Sequence, residues 1–269
     1  MRFLPLLAVS FLLFTTAAAL AQQPAAKPAP SDNIIETNFA ITVKARDGSF
    51  IGSPAGGAEI VIRDRRTGDI IVHGATYGDS GDTAKLMADT HKRDEVLVDK
   101  NTAKFQFSIE IFEPTPVTVS ATGPLGQGQA LATVSEDMIL IPGKDYTAGN
   151  GIMLELPGFA VDVLSPPSGK TEKLDTKKPM AVVANVLKMS GEAIAPGTKW
   201  VPERYEVEAR VYKDDIFVAL APLDYGGQPG MFTQNLKLPS AGVYRVVVTA
   251  FDKETKEAGM DSSSFTLTP

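Results

Sequence analysis

Apolar residues recur at every second position along most of this chain. Phe39, Ile41, Val43 and Ala45 fall on one side of an extended segment, and Thr42, Lys44 and Arg46 fall on the other. That alternation is the signature of a half-buried strand. Ala58, Ile60 and Ile62 repeat it, and Ile70 and Val72 follow. Residues 64–69 (DRRTGD) predict the turn between those two strands, with Gly68 free to take positive φ. Phe105, Phe107, Ile109 and Ile111 then alternate with Gln106, Ser108 and Glu110. Pro114 and Pro116 interrupt, and Val117, Val119 and Ala121 resume the pattern. Residues 138–141 and 152–156 complete a first set of short strands separated by Gly, Pro and Asp turns, a spacing that predicts a β-sandwich.

Pro157-Gly158 breaks the pattern and marks the expected domain boundary. Phe159, Val161 and Val163 open a second set, followed by Met180 to Val186, Tyr205 to Val211 and residues 217–220. Phe232, Leu236 and Leu238 come next, although Gln234 spoils their face. Tyr244, Val246, Val248 and Ala250 make the strongest alternation in the chain, and Phe265 and Leu267 close it. Helical periodicity is scarce. Only residues 82–94 (DTAKLMADTHKRD) suit a helix, with Ala84, Leu86, Met87 and Ala88 as a short apolar stripe; an ordered loop is the alternative.

The first residues depart from this pattern. Arg2, an apolar stretch over 4–13 and the small-residue ending Ala19-Leu20-Ala21 read as a secretory signal peptide over 1–21, too short for a spanning helix. Residues 22–33 are a Pro/Ala-rich spacer. The expected architecture is therefore all-β: two tandem Ig-like β-sandwich domains, 34–157 and 158–269, after a cleaved signal peptide. The location that follows is periplasmic or secreted.

Composition narrows the chemistry. The 269 residues include no Cys and two His, with 26 Lys+Arg against 32 Asp+Glu. That excludes disulfides, thiolate metal sites, a cysteine nucleophile and a three-His metal centre. A formal net charge of −6 argues against bulk nucleic-acid binding.

Two stretches resemble known families. Residues 238–248, Leu-Pro-Ser-Ala-Gly-Val-Tyr-Arg-Val-Val-Val, resemble strand F of an Ig-like or fibronectin type III-like domain. The resemblance implies a corner tyrosine, Tyr244, whose hydroxyl bonds back to nearby backbone. Val246 stands where an antibody domain carries its second cysteine, so the inter-sheet disulfide is absent. Residues 164–169 (LSPPSG) resemble the end of the first strand of bacterial Ig-like domains. Residues 57–70, from Gly57-Ala58 through Thr67-Gly68, resemble the G-A-x-V-x-V-x-D-x-x-T-G stretch of carboxypeptidase regulatory-like (transthyretin-like) modules. These families imply architecture and, for the most part, non-catalytic binding, adaptor or folding-support roles.

No catalytic constellation emerges. Gly78-Asp79-Ser80-Gly81-Asp82 is close to the surround of a serine-protease nucleophile, but His73 and His91 lie too near in the chain to supply its base, and the segment reads as a turn. Asp79 and Asp82 lack the D-x-D-x-D-G spacing of a calcium loop. Met87 and His91 could share one side of a helix as copper ligands, yet core packing of Met87 is the simpler reading. Lys170, Lys173, Lys177 and Lys178, interleaved with Glu172 and Asp175, read as a solvated loop, with an anionic partner as the alternative. Trp200 is the single tryptophan. It is expected to face the first domain, joined by Tyr225 and Met231. There it either seals the domain interface or, with them, borders an inter-domain cleft for a partner or ligand.

The functional expectation is a non-catalytic binding or adaptor protein of the periplasm or secreted space, acting through loops and that cleft. Its partner would be an envelope protein or small ligand, with no nucleic acid and no membrane span. Neither a cofactor nor a metal is expected, and the chain is not expected to be an enzyme. The alternatives are a periplasmic chaperone-like protein, with 105–111 as its exposed strand, and a metal-binding accessory protein.

Overall fold

Alternation along the chain becomes two stacked-sheet units in the structure, a computed structural model that describes residues 36–88 and 90–269. The signal peptide and spacer expected over 1–33 lie outside the described residues. The first unit contains β1 (Glu36–Ala45), β2 (Glu59–Asp64), β3 (Ile70–Ala75), β4 (Phe105–Glu110), β5 (Thr115–Gly123), β6 (Ala132–Leu140), β7 (Asp145–Tyr146) and β8 (Ile152–Leu156). One sheet runs β4-β1-β8, with the short β7 also alongside β1, and the other runs β3-β2-β5-β6. Strand β1 pairs antiparallel with β4 (Phe39 opposite Phe107) and parallel with β8 (Val43 opposite Leu154).

The predicted inward residues fill the space between these sheets. Phe39, Ile41 and Val43 of β1 are fully buried, as are Ile60, Ile62, Val117 and Val119 from the facing sheet. The Phe39 ring is stacked between Phe107 at 4.8 Å and Tyr146 at 5.0 Å. The 64–69 turn joins β2 to β3; Gly68 takes φ +81, and the Asp64 carboxylate accepts the Arg66 N–H at 2.7 Å.

The chain turns at Gly158 (φ +103), where a side chain would press on the Ala258 carbonyl. The second unit contains β9 (Phe159–Ser165), β10 (Thr171–Lys173), β11 (Met180–Lys188), β12 (Tyr205–Lys213), β13 (Ile216–Pro222), β14 (Asp224–Tyr225), β15 (Met231–Leu236), β16 (Gly242–Asp252) and β17 (Ala258–Thr268). Its sheets run β14-β15-β11-β9 and β10-β17-β16-β12-β13. The first strand is split, with β9 in one sheet and β10 crossing to the other. Four strands on one side and the remainder on the other, in this order, make an Ig-like sandwich. Tyr244 is fully buried, and its hydroxyl donates to the Ser240 carbonyl at 2.8 Å, the corner bond implied by the 238–248 motif. Val246, Val248 and Ala250 continue its face into the core.

The 82–94 stretch, read as a short helix or a loop, carries one helical turn, α1 (Thr83–Leu86), capped by the Asp82 carboxylate, which accepts the Ala84 and Lys85 N–H groups, and two strands run longer than their apolar runs predict. A single turn leaves most end groups without intrahelical partners, so side chains such as Asp82 define it. Strand β6 begins at Ala132 rather than 138, because its Ser135-Glu136-Asp137 stretch is held by antiparallel pairing to β5, not by an apolar face. Strand β17 likewise extends back to Ala258 through Ser262, Ser263 and Ser264, zipped along β16.

Candidate functional site

The two sandwiches meet at a buried polar joint built around Asp47. Asp47 lies in the turn after β1 with φ +52. Its carboxylate accepts from Arg204 at 2.8 Å and lies 3.7 Å from the Lys188 ammonium. Lys188, the last residue of β11, is fully buried; it reaches Glu257 at 3.5 Å and sits 4.4 Å over the Phe159 ring. Arg46 approaches Glu257 at 3.5 Å from the first sandwich, and Arg204 also donates to Asp252 at 2.6 Å. The Ser190 hydroxyl accepts the Ser49 N–H at 3.1 Å, adding a further bond across the joint.

Burial raises the Asp252 carboxyl, but the Arg204 guanidinium and the Glu254 and Thr255 N–H groups outweigh it and hold the group at about 2. Glu257 goes the other way. Burial pushes it above the usual glutamate range, and Lys188 and Arg46 pull it only partly back. Burial also raises the phenol of Tyr205, which lies beside this cluster.

Trp200 belongs to this joint. Its loop is shaped by Thr198, whose hydroxyl donates to the Ala195 carbonyl and accepts the Trp200 N–H. The indole is 5% exposed, and its Nε1 donates to the Asp47 carbonyl at 2.9 Å. Tyr225 and Met231 lie on the β14–β15 hairpin, where Tyr225 packs edge-on against Phe232 at 6.0 Å. The Gly230 N–H donates to the Ile194 carbonyl, so the hairpin and the Trp200 loop share one end of the second sandwich. Trp200 is thus in direct contact with the first sandwich, while Tyr225 and Met231 stay on the adjoining hairpin of the second.

The other chemistry-bearing residues are held apart. His73 on β3 pairs with Glu59 at 2.8 Å. His91 contacts the Leu86 carbonyl at 3.2 Å and Glu95 at 3.4 Å. Met87 packs against the core of the second sandwich, and Asp82 is engaged as the α1 cap. Asn150, which the sequence reading passed over, organises the long 76–104 segment. Its Oδ1 accepts the Leu97 N–H at 2.6 Å and the Val98 N–H at 3.2 Å, and its Nδ2 donates to the Glu95 carbonyl at 2.9 Å. Nothing in the local sequence marks Asn150 for this, because its partners lie more than fifty residues away.

Two surface features stand out. Among the described residues strand β13 forms a free edge of its sheet, and Ile216, Phe217 and Leu220 are 70%, 53% and 48% exposed. No charged residue interrupts residues 216–222. Phe217 packs edge-on against Tyr212, which carries the Arg245 guanidinium 4.4 Å over its ring. By contrast β4, the strand of alternating Phe105, Phe107 and Ile109, turns those side chains inward onto the first core. The second feature is a groove of about 490 Å³ where β9, β10 and the start of β11 meet, lined by Lys170, Lys173 and Lys178.

No protein-family model matches the sequence, and no curated protein matches it. Among solved structures, the chain is similar to an engineered protein (18% identity, TM-score 0.31, covering 48% of this chain and 24% of that one). It is similar to the fibronectin(III)-like modules of Clostridium thermocellum CbhA (10% identity, TM-score 0.28, covering 84% and 88%). It is also similar to a tetra-tandem repeat from the extending region of a large adhesion protein (13% identity, TM-score 0.29, covering 87% and 49%). The chain thus spans about a quarter of the engineered protein and about half of the adhesion-protein repeat. Among the described residues no helix is long and apolar enough to cross a membrane.

Proposed function

We propose that this chain is a non-catalytic binding or adaptor protein of the cell envelope or secreted space, built as two domains, 34–157 and 158–269. The observation that carries the reading is β13. Natural sheets guard a free edge with charges, prolines or very short strands, because its unpaired N–H and C=O groups recruit other chains. Strand β13 has an apolar run with charge only at its turn, and Pro222 only at its end. Phe217, Tyr212 and Arg245 add the aromatic and arginine surface that dominates protein interfaces. The partner is a protein that lays an extended apolar segment along β13, gaining main-chain bonds from the edge and contacts to Phe217 and Leu220. Trp200 serves this function by fixing the joint between the sandwiches, with Tyr225 and Met231 on the hairpin beside its loop.

The test compares the parent chain with Val218→Lys/Leu220→Lys in retaining proteins from envelope extract, after both give the same thermal melt. A partner retained by the parent and lost by the variant supports the proposal. Equal retention overturns the β13 assignment, and no retention by either overturns the binding function itself.

A further inference from the structure

We propose that the groove at the β9–β10 crossover is a binding site for an amphipathic carboxylate, an apolar chain ending in one negative charge. The floor and the rim differ in chemistry. Leu174, Met180 and Leu238 are partly exposed and pack on the second core, with Leu267 buried beneath them. Lys173 and Lys178 stand at the rim, and neither ammonium has an ion-pair or hydrogen-bond partner among the described residues. Of the other charges in the lining, one pair is matched and one carboxylate keeps its charge, so three cations face two anions. Lys170 pairs with Glu172, and the Asp175 carboxylate accepts the Lys177 N–H at 2.9 Å.

An apolar floor flanked by lysines suits a ligand with one apolar and one charged end, and about 490 Å³ lies within the usual range for a small-molecule site. The floor excludes a small inorganic anion as the best ligand, since such an ion would leave the apolar surface wet. The lining's three lysines against two carboxylates favour an anionic head group over a neutral one. A chain long enough to cover Leu174, Met180 and Leu238, with its carboxylate between Lys173 and Lys178, satisfies both. This site is separate from β13 and does not depend on the partner proposed there.

The test is a backbone amide NMR titration of the chain with octanoate, alongside 1-octanol and acetate. Octanoate is expected to shift amides in 170–181, 238 and 267, with a Kd below about 10 mM. Octanol, which lacks the charge, and acetate, which lacks the chain, are each expected to bind at least about five-fold more weakly. Lys173→Gln/Lys178→Gln, which changes only exposed side chains, is expected to weaken octanoate by about five-fold at an unchanged melting temperature. Shifts centred on β13 or elsewhere, unaltered affinity in the double variant, or no shift at all would each overturn the site. Acetate binding as well as octanoate would overturn the role of the apolar floor.

Discussion

The indole Nε1 of Trp200 donates to the main-chain carbonyl of Asp47 at 2.9 Å, so the only tryptophan of the second sandwich ends on the backbone of the first. Asp47 simultaneously offers its carboxylate to Arg204 and Lys188. One turn residue therefore gathers three side chains from the other sandwich. Trp200→Phe keeps most of the ring and deletes the donor. It is expected to cost about 1–3 kcal/mol, from the lost hydrogen bond and the space left by the smaller ring. Urea denaturation would measure it, and a loss below a few tenths would show that water replaces the indole.

Lys188 and Glu257 behave as a unit. Lys188→Met alone leaves the buried Glu257 carboxylate with Arg46 as its one cation and is expected to cost about 3–5 kcal/mol. Lys188→Met/Glu257→Leu removes both charges and should recover most of that loss, since a well-packed apolar pair often equals a buried ion pair. A double-mutant cycle measures the coupling.

The joint also makes stability depend on pH in two opposite ways. Asp252 is held at about 2, below its usual value of 3.8, so its contribution is present above pH 4 and is lost as pH falls toward 2. Glu257 is raised, so the folded state holds its proton more tightly than the unfolded chain does. Its ionisation therefore costs stability as pH rises from the usual glutamate range through the raised value. Asp252→Asn should flatten the acid loss, and Glu257→Gln should flatten the decline above pH 4.5. Denaturation free energy measured across pH 2–7 separates them.

Tyr244→Phe tests the corner. The ring is fully buried and the hydroxyl has one partner, the Ser240 carbonyl. The expected loss is about 1 kcal/mol or somewhat more, with an unchanged fold. Equal melting of the two proteins would show the bond to be without net value.

Asn150→Ala removes three hydrogen bonds from the 95–98 stretch. Amide exchange at Leu97 and Val98 should accelerate much more than at β1 or β5, because the lost bonds anchor a segment and not a core. Uniform acceleration would instead mean that this loop opens only with the whole sandwich.

Period-two alternation was enough to read the sequence as an all-β chain: Phe39, Ile41, Val43 and Ala45, and Tyr244, Val246, Val248 and Ala250, are all buried, although Thr42, expected on the outer side of β1, is buried as well because that sheet is covered on both faces there. The motif 238–248 likewise carried its own corner bond, since donor and acceptor are four residues apart. What the sequence left open is whatever depends on distant pairing. Strands β6 and β17 are longer than their apolar runs because neighbouring strands supply the hydrogen bonds. Asn150 looks like any loop asparagine until the 95–98 backbone reaches it. Lys188 and Glu257, both charged, carry no local sign of full burial. The alternating Phe105 to Ile109 read equally well as an outward or an inward strand, and only the partner sheet turned them in. Local periodicity fixes which side of a strand is apolar. Which charges meet, which edge stays open and which groove keeps its lysines free are set by contacts between residues far apart in the chain.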